Sequence, residues 1–158
     1  MDLERLYQFY PQAPHFMGLA LQEAQKAAHK GEIPVGAVIV RQGEVLAQAH
    51  NRRQELNDLW AHAECLAISQ ACQKLKDWRL NDCQLYVTLE PCPMCAGAML
   101  QAKISQVFFG AYNLREGCAG SLVQLLDFPG FNWQIETWGG VRLEECQKLL
   151  DQFFPKLR

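Results

Sequence analysis

The chain has 158 residues, of which 49% are hydrophobic and 20% charged, and its formal net charge is −2. This length suits a single domain over 1–158 with one sizeable core, and this composition excludes a disordered chain. The small negative charge gives no bulk support for nucleic-acid binding, although a local basic rim can act within an acidic protein.

The hydrophobic pattern predicts helices and strands that alternate along most of the chain. Helices are expected over 13–30, 60–75, 92–102, 121–126 and 143–154, and strands over 35–40, 45–50, 85–89, 107–109 and 134–138. A turn over 41–44 joins the first two strands into a hairpin. The alternation that follows predicts an α/β fold, in which a mixed sheet carries helices on its faces.

The N-terminus and the cysteines indicate the cellular compartment of the protein. The N-terminus carries the acids Asp2 and Glu4 and no apolar core of a secretory signal, and no apolar run is long enough to cross a bilayer. The cysteines number seven, and an odd count favours a reducing compartment over a disulfide framework. We therefore expect a cytoplasmic protein without a membrane anchor.

Three potential metal ligands lie in two short motifs. His62-Ala63-Glu64 precedes one predicted helix, and Pro91-Cys92-Pro93-Met94-Cys95 opens another. One imidazole and two thiolates leave a fourth tetrahedral position for water, as in catalytic zinc sites. Glu64 lies two residues from His62, where it can handle the protons of that water without binding the metal. The spacing therefore predicts one catalytic zinc ion per chain.

The predicted elements explain how these motifs can meet. Both helix N-termini can point into one crevice at the strand ends, where ligands bind in such sheets. A helix N-terminus also lowers the pKa of a thiol, which suits the thiolates of Cys92 and Cys95.

Each motif also has an ordinary alternative. Cys92 and Cys95 alone would fit a redox motif or two core cysteines one helical turn apart, but a redox site has no use for the His62 motif. A closed structural zinc site needs a fourth protein ligand. Cys65 should project away from His62 on a helix, whereas Cys83 and Cys118 stay open as candidates.

The linked motifs resemble those of the bacterial tRNA-specific adenosine deaminases, in the cytidine deaminase-like superfamily. His-x-Glu followed by Pro-Cys-x-x-Cys is the established signature of zinc nucleobase deaminases, and the tRNA enzyme is a standard example of it. More specific to the tRNA enzymes are the Cys-Ala-Gly-Ala-Met run over 95–99 and the Ala-Gly-Ser-Leu run over 119–122. The resemblance implies a three-layer α/β/α sandwich around a mixed five-stranded sheet. It also implies hydrolysis of adenosine to inosine at the first anticodon position of a tRNA.

The same resemblance implies roles for individual residues. Zinc would be held by His62, Cys92 and Cys95, with Glu64 as the proton shuttle. Substrate contacts would come from Asn51, the apolar walls Val35 and Leu89, the backbone N–H of Ala63, the RNA-facing Asn113, and the stacking rings of Phe153 and Phe154. The partner would be a tRNA anticodon stem-loop, bound by a homodimer.

Several of these substrate contacts have plainer explanations. Asn51 is also an ordinary loop residue, and Val35 and Leu89 are also ordinary core residues at strand ends. Phe153 and Phe154 would equally serve to pack the last helix. For these residues the sequence leaves both interpretations open.

Three features depart from the pattern of the family. Leu59-Trp60 stands where relatives often have Pro-Thr, so Trp60 either packs internally or widens the contact with RNA. Asn113 stands where many relatives have Asp, and an amide removes repulsion from phosphate. We hypothesise that Asn113 alters the stringency for RNA and admits some DNA.

The third departure is the short C-terminus, which lacks the basic tail of many relatives and bears on RNA affinity rather than on the chemistry. The remaining candidates for phosphate contacts are Arg52, Arg53, Arg115, Lys156 and Arg158, each of which also suits an ordinary solvated surface.

Two rival functions remain at this point. A deaminase of a free nucleobase or nucleoside, such as guanine or cytosine, would use the same zinc motif. A noncatalytic RNA-binding subunit would also resemble the family, but such subunits usually lack the proton-shuttling glutamate that is present here as Glu64.

Overall fold

The structure is a computed structural model that describes residues 2–157, with side chains up to Pro155. The helices are α1 (Leu3–Phe9), α2 (Ala13–His29), α3 (Arg53–Leu56), α4 (Ala63–Leu75), α5 (Pro93–Gln101) and α6 (Leu143–Phe153). The strands are β1 (Gly36–Arg41), β2 (Glu44–His50), β3 (Cys83–Leu89), β4 (Gln106–Ala111) and β5 (Glu136–Trp138). A 3₁₀ turn over Phe154–Leu157 follows α6.

The five strands form one mixed sheet in the order β2-β1-β3-β4-β5. β1 pairs antiparallel with β2 and β3, whereas β3, β4 and β5 run parallel. Because Ala37 pairs with Val87, the start of β1 lies at the same edge as the end of β3. That edge therefore gathers the segments that precede β1 and follow β2, β3 and β4.

Helices cover both faces of the sheet. Alternate residues of β1 divide between two apolar clusters: Ala37 and Ile39 pack with residues of α4 and α5, and Val38 and Val40 pack with residues of α2 and α6. This alternation follows from the two-residue period of a strand. The expected three-layer α/β/α sandwich with a mixed five-stranded sheet is confirmed.

Gly36 allows α2 to pack close against the sheet. It opens β1, where its N–H donates to Thr88 Oγ1 at 3.2 Å. A Cβ at this position would lie 2.6 Å from the backbone nitrogen of Ala24 and 2.8 Å from Glu23 Cβ on α2. The sheet and α2 can approach this closely only because no side chain lies between them.

The predicted elements need several corrections. The helix predicted over 121–126 is wrong, because this stretch consists of turns and an isolated bridge between Ala119 and Gln124. The helix predicted from Trp60 begins only at Ala63, because residues 58–61 form a turn closed by an Ala61 N–H to Asp58 O bond. The last strand is shorter than predicted. The short helices α1 and α3 were missed.

Within the described residues, no helix combines the length and the apolarity needed to cross a bilayer. All seven cysteines are free thiols.

Candidate active site

The three predicted ligands converge at one point. His62 Nδ1 lies 3.4 Å from Cys95 Sγ and 3.6 Å from Cys92 Sγ, and the three ligand atoms all lie within 4.8 Å of one another. His62 and Cys92 are the N-cap residues of α4 and α5, and Cys95 lies in the first turn of α5. The expectation that two helix N-termini would bring the ligands together is therefore correct.

The chemistry of these side chains suits zinc. A hydrogen bond from the Cys95 thiol outweighs the opposing effect of burial and lowers the pKa of the Cys92 thiol to about 4. The hydrogen bond with Cys92 also raises the pKa of His62, because the sulfur accepts from the protonated imidazole and stabilises that form. One nitrogen and two sulfur atoms form the usual protein part of a catalytic zinc site, which leaves one position open. The donor set thus fits one zinc ion.

A fourth thiol lies beside this cluster without joining it. Cys65 Sγ is 3.7 Å from Cys95 Sγ, so the side chain reaches a ligand rather than pointing wholly away from the site. Among the described residues, the cluster that could hold a metal ion nevertheless consists of His62, Cys92 and Cys95. Cys65, Cys83 and Cys118 are not part of it. This arrangement favours an open catalytic site over a closed structural one.

Glu64 is placed as a proton shuttle should be. It lies in the first turn of α4, is only 4% exposed and lines the same cleft as His62. Burial raises the pKa of its carboxyl group above the usual value. A buried carboxyl group beside the open position can accept a proton and return it, which general acid–base catalysis requires.

A small cleft of about 90 Å³ opens in front of the ligands. Of the predicted substrate-contacting residues, five line it: Val35, Asn51, Ala63, Leu89 and Asn113. Its wall also includes Arg53, a candidate phosphate contact, and Ile33, Glu90 and Glu116, which the sequence did not single out.

Asn51 and Asn113 are both held by local hydrogen bonds. Asn51 is 6% exposed; its Nδ2 donates to Ile33 O at 3.3 Å, and its Oδ1 accepts from Arg53 N at 3.1 Å. Asn113 Oδ1 accepts from the N–H groups of Arg115 and Glu116 at 3.2 and 3.1 Å. Each amide therefore reaches the cleft with a fixed orientation.

Two buried carboxylates fix the segments that carry these asparagines. Glu32 accepts from Gln54 N at 3.1 Å and Glu55 N at 2.9 Å, which caps the N-terminal end of α3 just after Asn51. Glu90 accepts from the segment that begins at Asn113. Glutamates are usually exposed, and neither Glu32 nor Glu90 was predicted to have a role.

The predicted aromatic contacts lie elsewhere. Phe153 is buried at the end of α6 in a groove shared with Ala28 and Leu149 of the helical layer, and Phe154 is exposed. Neither ring lines the cleft. Trp60 is 63% exposed, which contradicts internal packing and leaves the surface alternative.

The candidate phosphate contacts differ in their surroundings. Arg53 lines the cleft, whereas Arg52 is paired with Glu55 at 3.0 Å. Arg158 and the side chain of Lys156 lie outside the described part of the structure.

The fold and the ligand cluster define a zinc-dependent deaminase. The sequence model of the cytidine and deoxycytidylate deaminase zinc-binding region matches residues 11–111. The tRNA-specific adenosine deaminase of Bacillus subtilis (strain 168) is 50% identical over 143 residues, which cover 90% of this chain and 89% of that protein. The same enzyme of Aquifex aeolicus (strain VF5) is 46% identical over 144 residues, which cover 91% of this chain and 95% of that protein.

Solved structures give the same picture. One comes from a study of A-to-I editing by tRNA:A34 deaminases at the wobble position; it matches with a TM-score of 0.83 and 42% identity, over 86% of this chain and 99% of that one. A guanine deaminase of Bacillus subtilis matches with a TM-score of 0.59 and 42% identity, over 62% of this chain and 63% of that one. The chain belongs to the tRNA-specific adenosine deaminase family.

Proposed function

We propose that this protein is the enzyme that hydrolyses adenosine to inosine at the first (wobble) anticodon position of a tRNA and releases ammonia. The observation that carries the proposal is the open cluster of His62, Cys92 and Cys95 with buried Glu64 beside it, in a chain 50% identical to a tRNA-specific adenosine deaminase. The relative covers 90% of this chain, so the likeness extends beyond the zinc motif.

The residues of the cluster have distinct roles in this reaction. His62, Cys92 and Cys95 hold zinc, which when bound lowers the pKa of water enough to supply a hydroxide nucleophile near neutral pH. Glu64 accepts a proton from the attacking water at C6 of adenine. It returns this proton to the ring nitrogen N1 as the C6–O bond forms. It then takes the remaining proton of that oxygen and passes it to the amine, so that the C6–N bond breaks and ammonia leaves.

The rest of the cleft orients the base. Val35 and Leu89 pack against its faces, and the Asn51 amide bonds the nucleoside from a side chain that Ile33 and Arg53 already hold in place. The N–H of Ala63, at the first position of α4, has no partner within the helix and can donate to the substrate. The target adenosine reaches this cleft readily because a base in an anticodon loop is already unpaired.

Asn113 is the residue of the cleft that we assign to nucleic-acid selection. Its Oδ1 is used by two backbone N–H groups, so its Nδ2 is the polar atom left for substrate. An aspartate could accept the same two bonds and would present a negative oxygen in place of this donor. The amide thus removes a charge that would repel phosphate.

We also propose that the enzyme works in the cytoplasm as a homodimer that binds the tRNA stem-loop. Large exposed apolar side chains adjoin the cleft-lining residues in sequence: Leu59 and Trp60 precede His62, and Leu114 follows Asn113. Large apolar side chains exposed beside a cleft are of the kind that an interaction surface covers. Sedimentation equilibrium tests this part of the proposal, and a monomer at micromolar concentration would contradict it.

Deamination of free guanine is the second candidate, because a guanine deaminase is 42% identical over 62% of this chain. The deciding experiment measures inosine in a tRNA anticodon stem-loop with adenosine at its first anticodon position. Free guanine, cytosine, adenine and adenosine are assayed beside it. Inosine in the stem-loop alone supports the tRNA reaction, whereas ammonia from a free base would overturn the substrate and keep the zinc chemistry.

A further inference from the structure

Glu90 is a buried acid that the reaction described above does not use. It is 1% exposed and follows β3 immediately, two residues before the zinc ligand Cys92. Its Oε1 accepts from Asn113 N at 3.1 Å, and its Oε2 accepts from Ala119 N and Ser121 N at 3.0 Å each. The Ser121 hydroxyl donates to Oε1 as well. Four donors from one segment, 113–121, therefore end on a single carboxylate.

This segment has little regular structure of its own. A Cβ on Gly117 would lie 2.6 Å from Glu90 Oε2, so the segment folds over the carboxylate so closely that only glycine fits there. Buried charge is costly unless it is fully hydrogen-bonded, and here the bonds all come from the segment. The segment and the carboxylate thus depend on each other.

The same segment is tied to the zinc-binding turn through the backbone. Cys118 N donates to Pro91 O at 2.9 Å, and Glu90 N donates to Ala111 O at 2.9 Å. Asn113, whose N–H is bonded to Glu90, and Glu116 of the same segment both line the cleft. One anchor therefore links the wall of the cleft to the turn that carries Cys92.

We infer that Glu90 is a positioning residue for the substrate. Its carboxylate holds segment 113–121 against the zinc-binding turn. The wall of the cleft that contains Asn113 is therefore already formed when the nucleic acid binds. This inference rests on the proposed function for the identity of the substrate. It assigns to Glu90 a role in substrate affinity rather than in proton transfer.

The test compares Glu90→Gln with two other variants. Glutamine is isosteric but turns one oxygen into a donor that faces donors. Ser121→Ala removes only the hydroxyl bond. Glu23→Gln is the matched control, because Glu23 is also a buried carboxylate (6% exposed) but bonds Lys26 and His50 and lies outside the cleft.

Steady-state kinetics use the anticodon stem-loop, and bound zinc and hydrogen exchange of segment 113–121 are measured for each variant. Loss of a charge-assisted hydrogen bond at Glu90 is expected to raise KM about tenfold. The value of kcat should stay within about threefold and the zinc content should be unchanged. Ser121→Ala should raise KM about threefold and add little to Glu90→Gln in the double variant, because both act on one contact.

Other outcomes would overturn the inference or separate it from the proposed function. A KM for Glu90→Gln no higher than that for Glu23→Gln overturns it, and so does a fall in kcat accompanied by loss of zinc. If Glu90→Gln does not fold, an unchanged KM for Ser121→Ala overturns it alone. If the wild-type protein forms no inosine in the stem-loop, the proposed function fails, but hydrogen exchange still tests the inference. Faster hydrogen exchange confined to 113–121 in Glu90→Gln supports it, and unaltered exchange contradicts it.

Discussion

The cleft has two polar rims, one after β2 that carries Asn51 and one after β4 that carries Asn113, and a buried carboxylate holds each of them. Glu32 accepts two N–H groups at the start of α3, whose remaining turn is closed by its own backbone. Glu90 accepts three N–H groups and a hydroxyl from a segment that does not form a helix. The difference shows that a rim without regular structure needs more side-chain anchoring to keep one conformation.

The largest expected effect comes from Glu64, which lines the same cleft as the two rims. Glu64→Gln removes the group that accepts and returns protons and should lower kcat by about a thousandfold or more. Zinc content and thermal midpoint should remain those of the wild type, because the amide is isosteric. Single-turnover assays with zinc analysis check this result. Substantial turnover in this variant would show that another residue carries the proton and that the rims do more than position the substrate.

Glu32→Gln perturbs the rim that carries Asn51. One of the two N–H groups at the start of α3 would lose its acceptor, which should lower the free energy of unfolding by about 1–3 kcal/mol. KM for the stem-loop should rise less than in Glu90→Gln, since Asn51 keeps its own bonds to Ile33 and Arg53. Urea unfolding and steady-state kinetics measure both quantities. An equal or greater rise in KM would remove the contrast between the rims.

Asn113→Asp probes the other rim without loosening it, because an aspartate can accept the same two backbone bonds. The added charge repels phosphate in both loops, but only RNA offers a 2′-OH that can donate to the carboxylate, so activity on a matched DNA loop should fall several-fold more than activity on the tRNA stem-loop. Paired kcat/KM measurements on the two loops give the ratio. A ratio equal to that of the wild type would show that Asn113 does not set selection between RNA and DNA.

The smallest effect is expected outside both rims, at Glu23. Burial raises the pKa of this carboxyl group, but hydrogen bonds from Lys26 and His50 outweigh burial and leave the pKa below its usual value. Its ionised form therefore stabilises the fold above the pKa of the unfolded chain, and this contribution is lost as the pH falls through the folded pKa. Thermal melts between pH 6 and 3 should show a shallower acid decline in Glu23→Gln. Identical slopes would contradict this.

The sequence predicted the zinc centre well for a definite reason. Zinc accepts few side-chain types, and His62, Cys92 and Cys95 lie at helix N-termini that a strand–helix alternation can be expected to bring together. Local pattern and metal chemistry were sufficient for the zinc centre. The assignment of Val35 and Leu89 as walls of the cleft came from the family resemblance.

The rims could not be predicted in the same way. The stretch 121–126 has a helical composition, but the N–H and hydroxyl of Ser121 bond to Glu90, which lies 31 residues earlier in the chain. The short helix α3 depends on Glu32 in a similar manner. Hydrogen bonds between residues so distant in sequence leave no periodic signal. The resemblance named Asn51 and Asn113, but the carboxylates that anchor the two rims were not foreseeable.

Gly36 carries a consequence for genetic surveys of this enzyme. It lines no part of the cleft, yet any side chain there would collide with the backbone of α2 and push a whole layer away from the sheet. A screen that scores only surviving activity would rank this glycine beside His62. A map of intolerant positions in this protein thus records the spacing of its layers as well as its chemistry, and abundance must be measured with turnover to separate the two.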